Sequence, residues 1–162
     1  TYKLPEAQLD RFLLKTSIGY PDLESAERIL AGSADRNPSA RLSPVITGQA
    51  VADMADLAAT THTDPAVLRY VAELAENTRK SGDVRLGVSV RGAISMIRIA
   101  KVWAASQGRR FVTPDDILHL AGPVWSHRVV LDPEAEFAGT TPESVIARVV
   151  EDTTAPQQRL TA

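Results

Sequence analysis

The sequence predicts a mainly α-helical fold, a helical bundle with one or two minor strands. Apolar side chains recur at helical spacing in several segments of the 162-residue chain. Capping residues or helix-starting prolines precede most of these segments. Aromatic residues make up only 5% of the chain, so Ala, Leu, Val and Ile supply most of the apolar bulk. That mixture suits packed helices better than an all-β sandwich.

The first part of the chain predicts two helices and a linker. Pro5 suits the first turn of a short helix that extends to about Leu14, and Asp22 caps a second helix that extends to about Leu30. Between them, the partly β-branched segment Lys15–Ile18 predicts a short strand. The segment after the second helix is rich in Gly, Ser, Asn and Pro and lacks periodicity. We assign the linker to residues 34–46.

Four clearer helices are predicted after the linker. Their capping side chains belong to Thr47, to Thr63 or Asp64, to Ser89 and to Thr113. These helices are expected to end near Thr60, before Ser81, at Gln107 and near Ser126. The third helix has a predicted apolar stripe, with Met96 beside it, that consists of Ala93, Ile94, Ile97, Ala100, Trp103 and Ala104.

The last part of the chain predicts one more strand and one more helix. The short apolar run His127–Leu131 predicts a minor strand. Thr141 and Pro142 combine a capping hydroxyl with a helix-starting proline, and the helix they begin extends through Val150. Residues 47–152 are therefore expected to form a helical domain, and residues 153–162 a frayed tail.

Composition excludes several classes of function. The chain has no cysteine, which excludes disulfides, thiol catalysis and cysteine-ligated zinc. The three histidines are far apart and none has metal-ligand spacing, so no metal site is predicted. The net charge is −2 with basic and acidic residues interspersed, which argues against a nucleic-acid partner. No apolar run is long enough to span a membrane, so the expected location is cytoplasmic.

Two arginines occupy informative positions. The charged pair Asp10-Arg11 lies between the large apolar residues Leu9 and Phe12 at the end of a short predicted helix, where Arg11 could be a surface charge paired with Asp10 or Glu6. Arg91 lies in the first turn of the helix that Ser89 caps, where a cation opposes the positive end of the helix dipole. Its position is better explained if the guanidinium meets an anion, since the helix terminus then faces the same negative charge.

Residues 1–12 closely resemble the signature of the MoxR family of AAA+ ATPases. Later segments resemble the same family in the same order: Gly19–Asp22, Leu86-Gly87 through Arg91-Gly92, Val112–Ile117, Ala121–Val124 and His127-Arg128. One departure is Val90, which stands where the family usually has proline before the arginine. The resemblance covers nearly the whole chain.

The resemblance implies an architecture and two site residues. Residues 1–33 would be the end of the ATPase core with a connecting helix, and residues 47–152 the helical lid domain. Arg11 would be the arginine finger, which acts in the neighbouring subunit's site, and Arg91 the second sensor, which contacts nucleotide phosphates. The Walker A lysine and Walker B acids would lie upstream, because this chain has no Gly-Lys-Ser/Thr loop. The chain alone is therefore predicted to be inactive.

The resemblance also implies the function of the intact parent. It would be a ring-forming homo-oligomer, a hexamer, that binds and hydrolyses ATP with Mg²⁺. It would remodel or activate partner proteins in a chaperone-like way, often proteins with a von Willebrand factor A domain. The rival hypothesis from another class is a non-enzymatic helical adaptor or DNA-binding module.

Overall fold

The computed structural model describes residues 4–32 and 42–157, and its fold is mainly α-helical, as predicted. The helices among these residues are α1 (Glu6–Leu9), α2 (Leu23–Ala31), α3 (Gly48–Ala59), α4 (Pro65–Lys80), α5 (Val90–Ser106), α6 (Pro114–Trp125), α7 (Pro133–Phe137) and α8 (Pro142–Asp152). Two short strands, β1 (Val84–Leu86) and β2 (Val130–Leu131), pair antiparallel, with Val84 opposite Leu131. None of the described helices is long and apolar enough to cross a membrane.

The helix starts follow the predicted capping residues. Asp64, rather than Thr63, caps α4 and accepts a 2.7 Å hydrogen bond from the Ala66 amide. Thr113 and Asp116 form a reciprocal capping box at the start of α6. The other predicted caps also accept hydrogen bonds from the first turns of their helices: Asp22, Thr47, Ser89 and Thr141. Because each cap satisfies otherwise unpaired amide groups, the sequence fixes these boundaries locally.

The core lies between α4, α5, α6 and α8. Its largest fully buried side chains include Trp125, Tyr70, Leu74, Met96 and Ile117. Trp125 Nε1 donates a 3.0 Å hydrogen bond to the Gly92 carbonyl, which joins α6 to the first turn of α5. This contact matters for the site described below, because that first turn carries Arg91.

The predicted apolar stripe of α5 is correct except at Ile94. Ala100 and Ala104 are buried, and Ala93, Ile97 and Trp103 pack partly buried against the core. Ile94 is 49% exposed, whereas Ser95 and Ile99, which lie outside the predicted stripe, are buried. The helix packs against α6 on one side and against α3 and α4 on another, so its buried face is set by three neighbours. The small residues Gly92 and Ser95 therefore occupy buried positions of α5, where a neighbouring helix packs against it.

The N-terminal part differs most from prediction. Helix α1 ends at Leu9 instead of near Leu14, and Lys15–Ile18 forms no strand. A strand needs a neighbouring strand for its backbone hydrogen bonds, and this segment has a single backbone bond among the described residues, from the Lys15 amide to the Pro123 carbonyl in α6. Helix α2 forms as predicted but buries no residue, and its Leu23 is 77% exposed. Helix α7 and strand β1 were not predicted, and the predicted strand His127–Leu131 is a 3₁₀ turn followed by β2.

Two predicted segments lie partly outside the described residues. Of the predicted linker 34–46, only residues 42–46 are described, and they form no helix or strand. Of the predicted tail 153–162, residues 153–157 are described. Thr153 is buried, where its hydroxyl accepts a 2.9 Å hydrogen bond from Asn77 and donates one of 2.7 Å to the Val149 carbonyl.

Candidate functional site

Arg11 lies in the turn that directly follows α1. Its amide donates to the Gln8 carbonyl at 3.1 Å, which continues the helical turn by one residue. Its side chain is exposed and forms no ion pair with any described residue. The two acids that could neutralise it have other partners: Glu6 pairs with Arg85 at 2.5 Å, and Asp10 with Arg128 at 2.7 Å. The simple surface pairing considered for Arg11 is therefore not formed here.

Arg91 lies in the first turn of α5, as predicted, and its side chain is 61% exposed. An anion does face this helix start: the Asp10 carboxylate, whose Oδ2 lies 4.0 Å from Arg91 Nη1. The Ser89 hydroxyl contacts both Asp10 carboxylate oxygens at 3.0 Å and also accepts the Gly92 amide at 3.1 Å. The structure thus brings the residue next to Arg11 into contact with the turn that carries Arg91.

Arg128 is the central residue of this site, and the sequence analysis gave it no role. Its side chain is only 1% exposed. Nε donates to the Val124 carbonyl at 2.9 Å, and Nη1 donates to the Asp10 carboxylate at 2.7 Å and to the Asp10 carbonyl. Nη2 donates to the Phe12 carbonyl at 2.6 Å and lies 3.4 Å from the Leu13 carbonyl. A buried guanidinium needs such a complete set of acceptors, because an unpaired buried charge is strongly unfavourable.

These acceptors explain why α1 is short. The carbonyl groups of Asp10, Phe12 and Leu13 meet the Arg128 side chain instead of backbone amides further along a helix. An arginine that binds terminal carbonyls is a known way to end a helix. We call Arg128 together with its acceptors on Asp10, Phe12 and Leu13 the turn clamp.

Two further contacts attach the Arg11 turn to α6 and the 3₁₀ turn that follows it. The Lys15 amide donates to the Pro123 carbonyl at 2.9 Å, and His127 Nε2 lies 3.1 Å from the Phe12 carbonyl. His127 Nδ1 is buried without a partner among the described atoms. Burial lowers the pKa of His127, and the positive charges of Arg128 and Lys15 lower it further, against the opposing effects of Phe12 and Asp10. The neutral imidazole is therefore the form that suits this contact.

The site has the chemistry of anion recognition. Its exposed functional groups are the two guanidinium groups of Arg11 and Arg91, both next to the Asp10 carboxylate, the first along the chain and the second in space. Within residues 4–32 and 42–157, no three His, Asp or Glu side chains are grouped as metal ligands. The sequence shows Arg128 only as an arginine inside an apolar run, because its acceptors on Asp10 and Phe12 lie 118 and 116 residues away along the chain.

Known proteins resemble this chain in both sequence and fold. The AAA lid domain family matches residues 76–149. Over 159 residues, 98% of this chain and 50% of the relative, the chain is 36% identical to YeaC of Bacillus subtilis. It is 32% identical to the chaperone MoxR1 of Mycobacterium tuberculosis, over 96% of this chain and 43% of that protein. The crystal structure of a proposed ATPase from Cytophaga hutchinsonii covers 96% of this chain with a TM-score of 0.83 and 26% identity.

The chain belongs to the MoxR family of AAA+ ATPases. It spans about half the length of the relatives that it matches. Arg91 and Arg128 both lie within residues 76–149, which match the AAA lid domain family, whereas Asp10 and Arg11 precede this region. The turn clamp therefore joins the lid of this MoxR-type chain to a segment outside the lid match.

Proposed function

We propose that this chain is the C-terminal part of a MoxR-type ATPase, with residues 1–33 as the end of the ATPase core and residues 47–152 as the lid. The intact protein would form a hexameric ring in the cytoplasm, bind ATP with Mg²⁺ and hydrolyse it. The observation that carries the proposal is a pair of exposed arginines beside Asp10, in a chain that matches the AAA lid domain family: Arg11 follows Asp10 in sequence, and Arg91 lies 4.0 Å from its carboxylate. Two of the similar proteins, one named a chaperone and one a proposed ATPase, support it.

Arg11 is proposed to be the arginine finger. Its guanidinium is exposed and is not neutralised by the acids beside it, so it is available to an anion on another subunit. In phosphoryl transfer, such an arginine stabilises the charge on the transferring group and contributes on the order of 10³–10⁵ in rate. The turn that carries it is fixed by the turn clamp, and a fixed position is what this role requires.

Arg91 is proposed to be the second sensor, which contacts nucleotide phosphates from the lid. Its ion pair with Asp10 is long and mostly exposed, a kind that contributes roughly 0–1 kcal/mol. Phosphate oxygens can therefore compete for the guanidinium at small cost. The first turn of α5 would favour the same negative charge through its unpaired amides.

The described residues fit a nucleotide only in part. They offer guanidinium groups for phosphate oxygens but no group of carboxylates for Mg²⁺. The proposal therefore assigns Mg²⁺ and the base of the nucleotide to the rest of the intact protein. When bound, Mg²⁺ would neutralise phosphate charge. The residues of this chain would contribute further positive charge through Arg11 and Arg91.

The deciding experiment measures ATP hydrolysis by the full-length protein with Arg11→Ala. We expect turnover to fall by about 10³-fold or more while nucleotide affinity stays within about twofold, because the finger acts in a neighbouring site. The matched control is Arg148→Ala, which removes an exposed arginine that pairs with Asp83. Normal turnover in the Arg11 variant would refute the finger assignment. It would also favour the rival, a helical adaptor or DNA-binding module.

The proposed partners have a test of their own. One matched relative is named a chaperone, which supports a client protein of some kind. Proteins with a von Willebrand factor A domain are the clients we propose. Binding of such a domain to the full-length protein, measured with and without ATP, should depend on nucleotide. Equal binding in both conditions would contradict remodelling driven by hydrolysis.

A further inference from the structure

We propose that Arg128 is a positioning residue for Arg11, and that it acts through the turn clamp. The inference rests on the proposed function, in which Arg11 completes the neighbouring subunit's site. It concerns a residue that lies far from Arg11 in sequence and never needs to touch nucleotide.

Arg128 binds the turn on both sides of Arg11. Its guanidinium meets the carbonyl and carboxylate of Asp10 and the carbonyl of Phe12. The residues before and after Arg11 are therefore attached to the same side chain, while the Arg11 side chain itself remains exposed. Because the backbone is fixed on both sides of Arg11, only its side chain remains free to rotate. Less conformational entropy is therefore lost when Arg11 contacts a phosphate.

Arg128 is itself held rigidly. Its Nε donates to the Val124 carbonyl at 2.9 Å within the last turn of α6. Its aliphatic part passes over Gly92, where a Cβ atom would lie 3.1 Å from Arg128 Cδ. The side chain is almost fully buried, so a shift away from these acceptors would leave a buried charge without hydrogen bonds. A buried and fully hydrogen-bonded arginine of this kind keeps the residues that it binds in a fixed position.

The lid core depends less on Arg128 than the turn does. Helices α4, α5, α6 and α8 pack through a continuous set of buried apolar residues, including Leu74, Met96 and Ile117. In contrast, α1 buries no residue and has no apolar core of its own. The Arg11 turn is held to the rest of the chain mainly by polar contacts, of which the turn clamp is the largest set. Loss of Arg128 should therefore release the turn before it unfolds the lid.

The test uses the full-length protein with Arg128→Gln, which removes the charge and most donors. We expect turnover to fall at least tenfold, while nucleotide affinity and ring assembly stay within about twofold of the parent. Arg128→Lys should recover little, since one ammonium cannot reach acceptors on three residues. The matched control is Arg109→Gln, which breaks another partly buried ion pair of the lid, with Asp116, that does not touch the turn. It should lower thermal stability without lowering turnover.

Subunit mixing separates positioning of Arg11 from general damage to the lid. Subunits with Arg128→Gln keep an intact nucleotide-binding core, so subunits lacking the Walker A lysine should restore their hydrolysis by supplying intact Arg11. Subunits with Arg11→Ala should not restore it, because neither partner then has a positioned finger. Restoration by neither partner would overturn the inference, since a damaged lid cannot be repaired by a neighbour. The double variant Arg11→Ala with Arg128→Gln should be no slower than Arg11→Ala alone.

A structural measurement completes the test and does not depend on the finger. Amide hydrogen exchange of residues 8–13 should increase in Arg128→Gln and stay unchanged in Arg109→Gln. If Arg128→Gln fails to assemble, Asp10→Asn is judged by turnover and by hydrogen exchange of residues 8–13, because it weakens the clamp and keeps Arg128 bound to the carbonyls. Nucleotide affinity is left out of this comparison, since Asp10 also pairs with Arg91. Normal turnover in Arg11→Ala would refute the proposed function. Loss of turnover in Arg11→Ala with normal turnover and exchange in the clamp variants would refute this inference alone.

Discussion

The side chain of Arg128 passes so close to Gly92 that a Cβ atom at position 92 would lie 3.1 Å from Arg128 Cδ and 2.8 Å from Val88 Cγ1. A glycine near the start of an α-helix ordinarily costs stability relative to alanine. Here it gives the guanidinium room to reach the Arg11 turn, and its carbonyl accepts the Trp125 indole N–H. The glycine is therefore a structural requirement of the turn clamp and not a weakness of α5.

The first prediction concerns this contact. Gly92→Ala should lower the free energy of unfolding by about 1–3 kcal/mol, because a methyl group is forced against the branched Val88 and the buried Arg128. Chemical denaturation of the purified chain measures it. Gly122→Ala is the matched control: it lies inside α6 with nothing within 4 Å of its added Cβ. That variant should be neutral or stabilised by roughly 0.5–1 kcal/mol. Equal effects at both glycines would contradict the packing argument.

Helix starts were predictable from sequence because the capping interaction lies within three residues. Asp22, Thr47, Ser89, Thr113 and Thr141 all cap the helices they were expected to cap. The end of α1 was not predictable in this way. It depends on a side chain that is 118 residues away from Asp10, and no local pattern contains that information.

The same reason explains why Ile94 was misjudged in α5 and why Arg128 was assigned no role. Periodicity gives the apolar side of a helix, but the side that becomes buried depends on how many neighbours it contacts. Helix α5 has several, so Ser95 is buried and Ile94 is half exposed. Arg128 looked like an isolated cation in an apolar run, and only the fold reveals acceptors around it. Sequence indicated Arg11 and Arg91 through family resemblance, without showing what holds them in place.

The second prediction concerns pH and His127. The pKa of this imidazole is lowered below its ordinary 6.5, chiefly by burial and then by Arg128 and Lys15. As pH falls below 6.5, the unfolded chain takes up the proton before the folded chain does. The contribution of neutral His127 to the free energy of unfolding is thus fully present above pH 6.5 and is lost as pH falls through the folded-state pKa.

Proton NMR of the imidazole groups tests this prediction directly. The His127 signal, assigned by its absence in His127→Gln, should titrate with a midpoint below 6.5. Stability should also decrease between pH 7 and pH 5.5, and the decrease should be smaller in His127→Gln. A His127 midpoint at or above 6.5, or an unchanged pH dependence in the variant, would contradict a partly buried, neutral His127 in contact with Phe12.

The third prediction compares two helix caps with different consequences. Thr113 caps α6, which carries buried residues such as Ile117 and Trp125. Thr113→Ala should therefore lower the global free energy of unfolding by about 1 kcal/mol. Asp22 caps α2 with an equally local hydrogen bond, 2.8 Å from the Ser25 amide, but α2 buries no residue. Asp22→Ala should leave global unfolding unchanged, because the core does not depend on that helix.

Two measurements on the same samples distinguish global from local effects. Denaturant unfolding followed by tryptophan fluorescence reports the core, since Trp125 is fully buried there. Amide hydrogen exchange of residues 23–31 reports α2 and should increase only in Asp22→Ala, since local opening is independent of the core. A global loss near 1 kcal/mol from Asp22→Ala would show that α2 is coupled to the lid. Its exposed leucines would then need a packing partner within the folded chain.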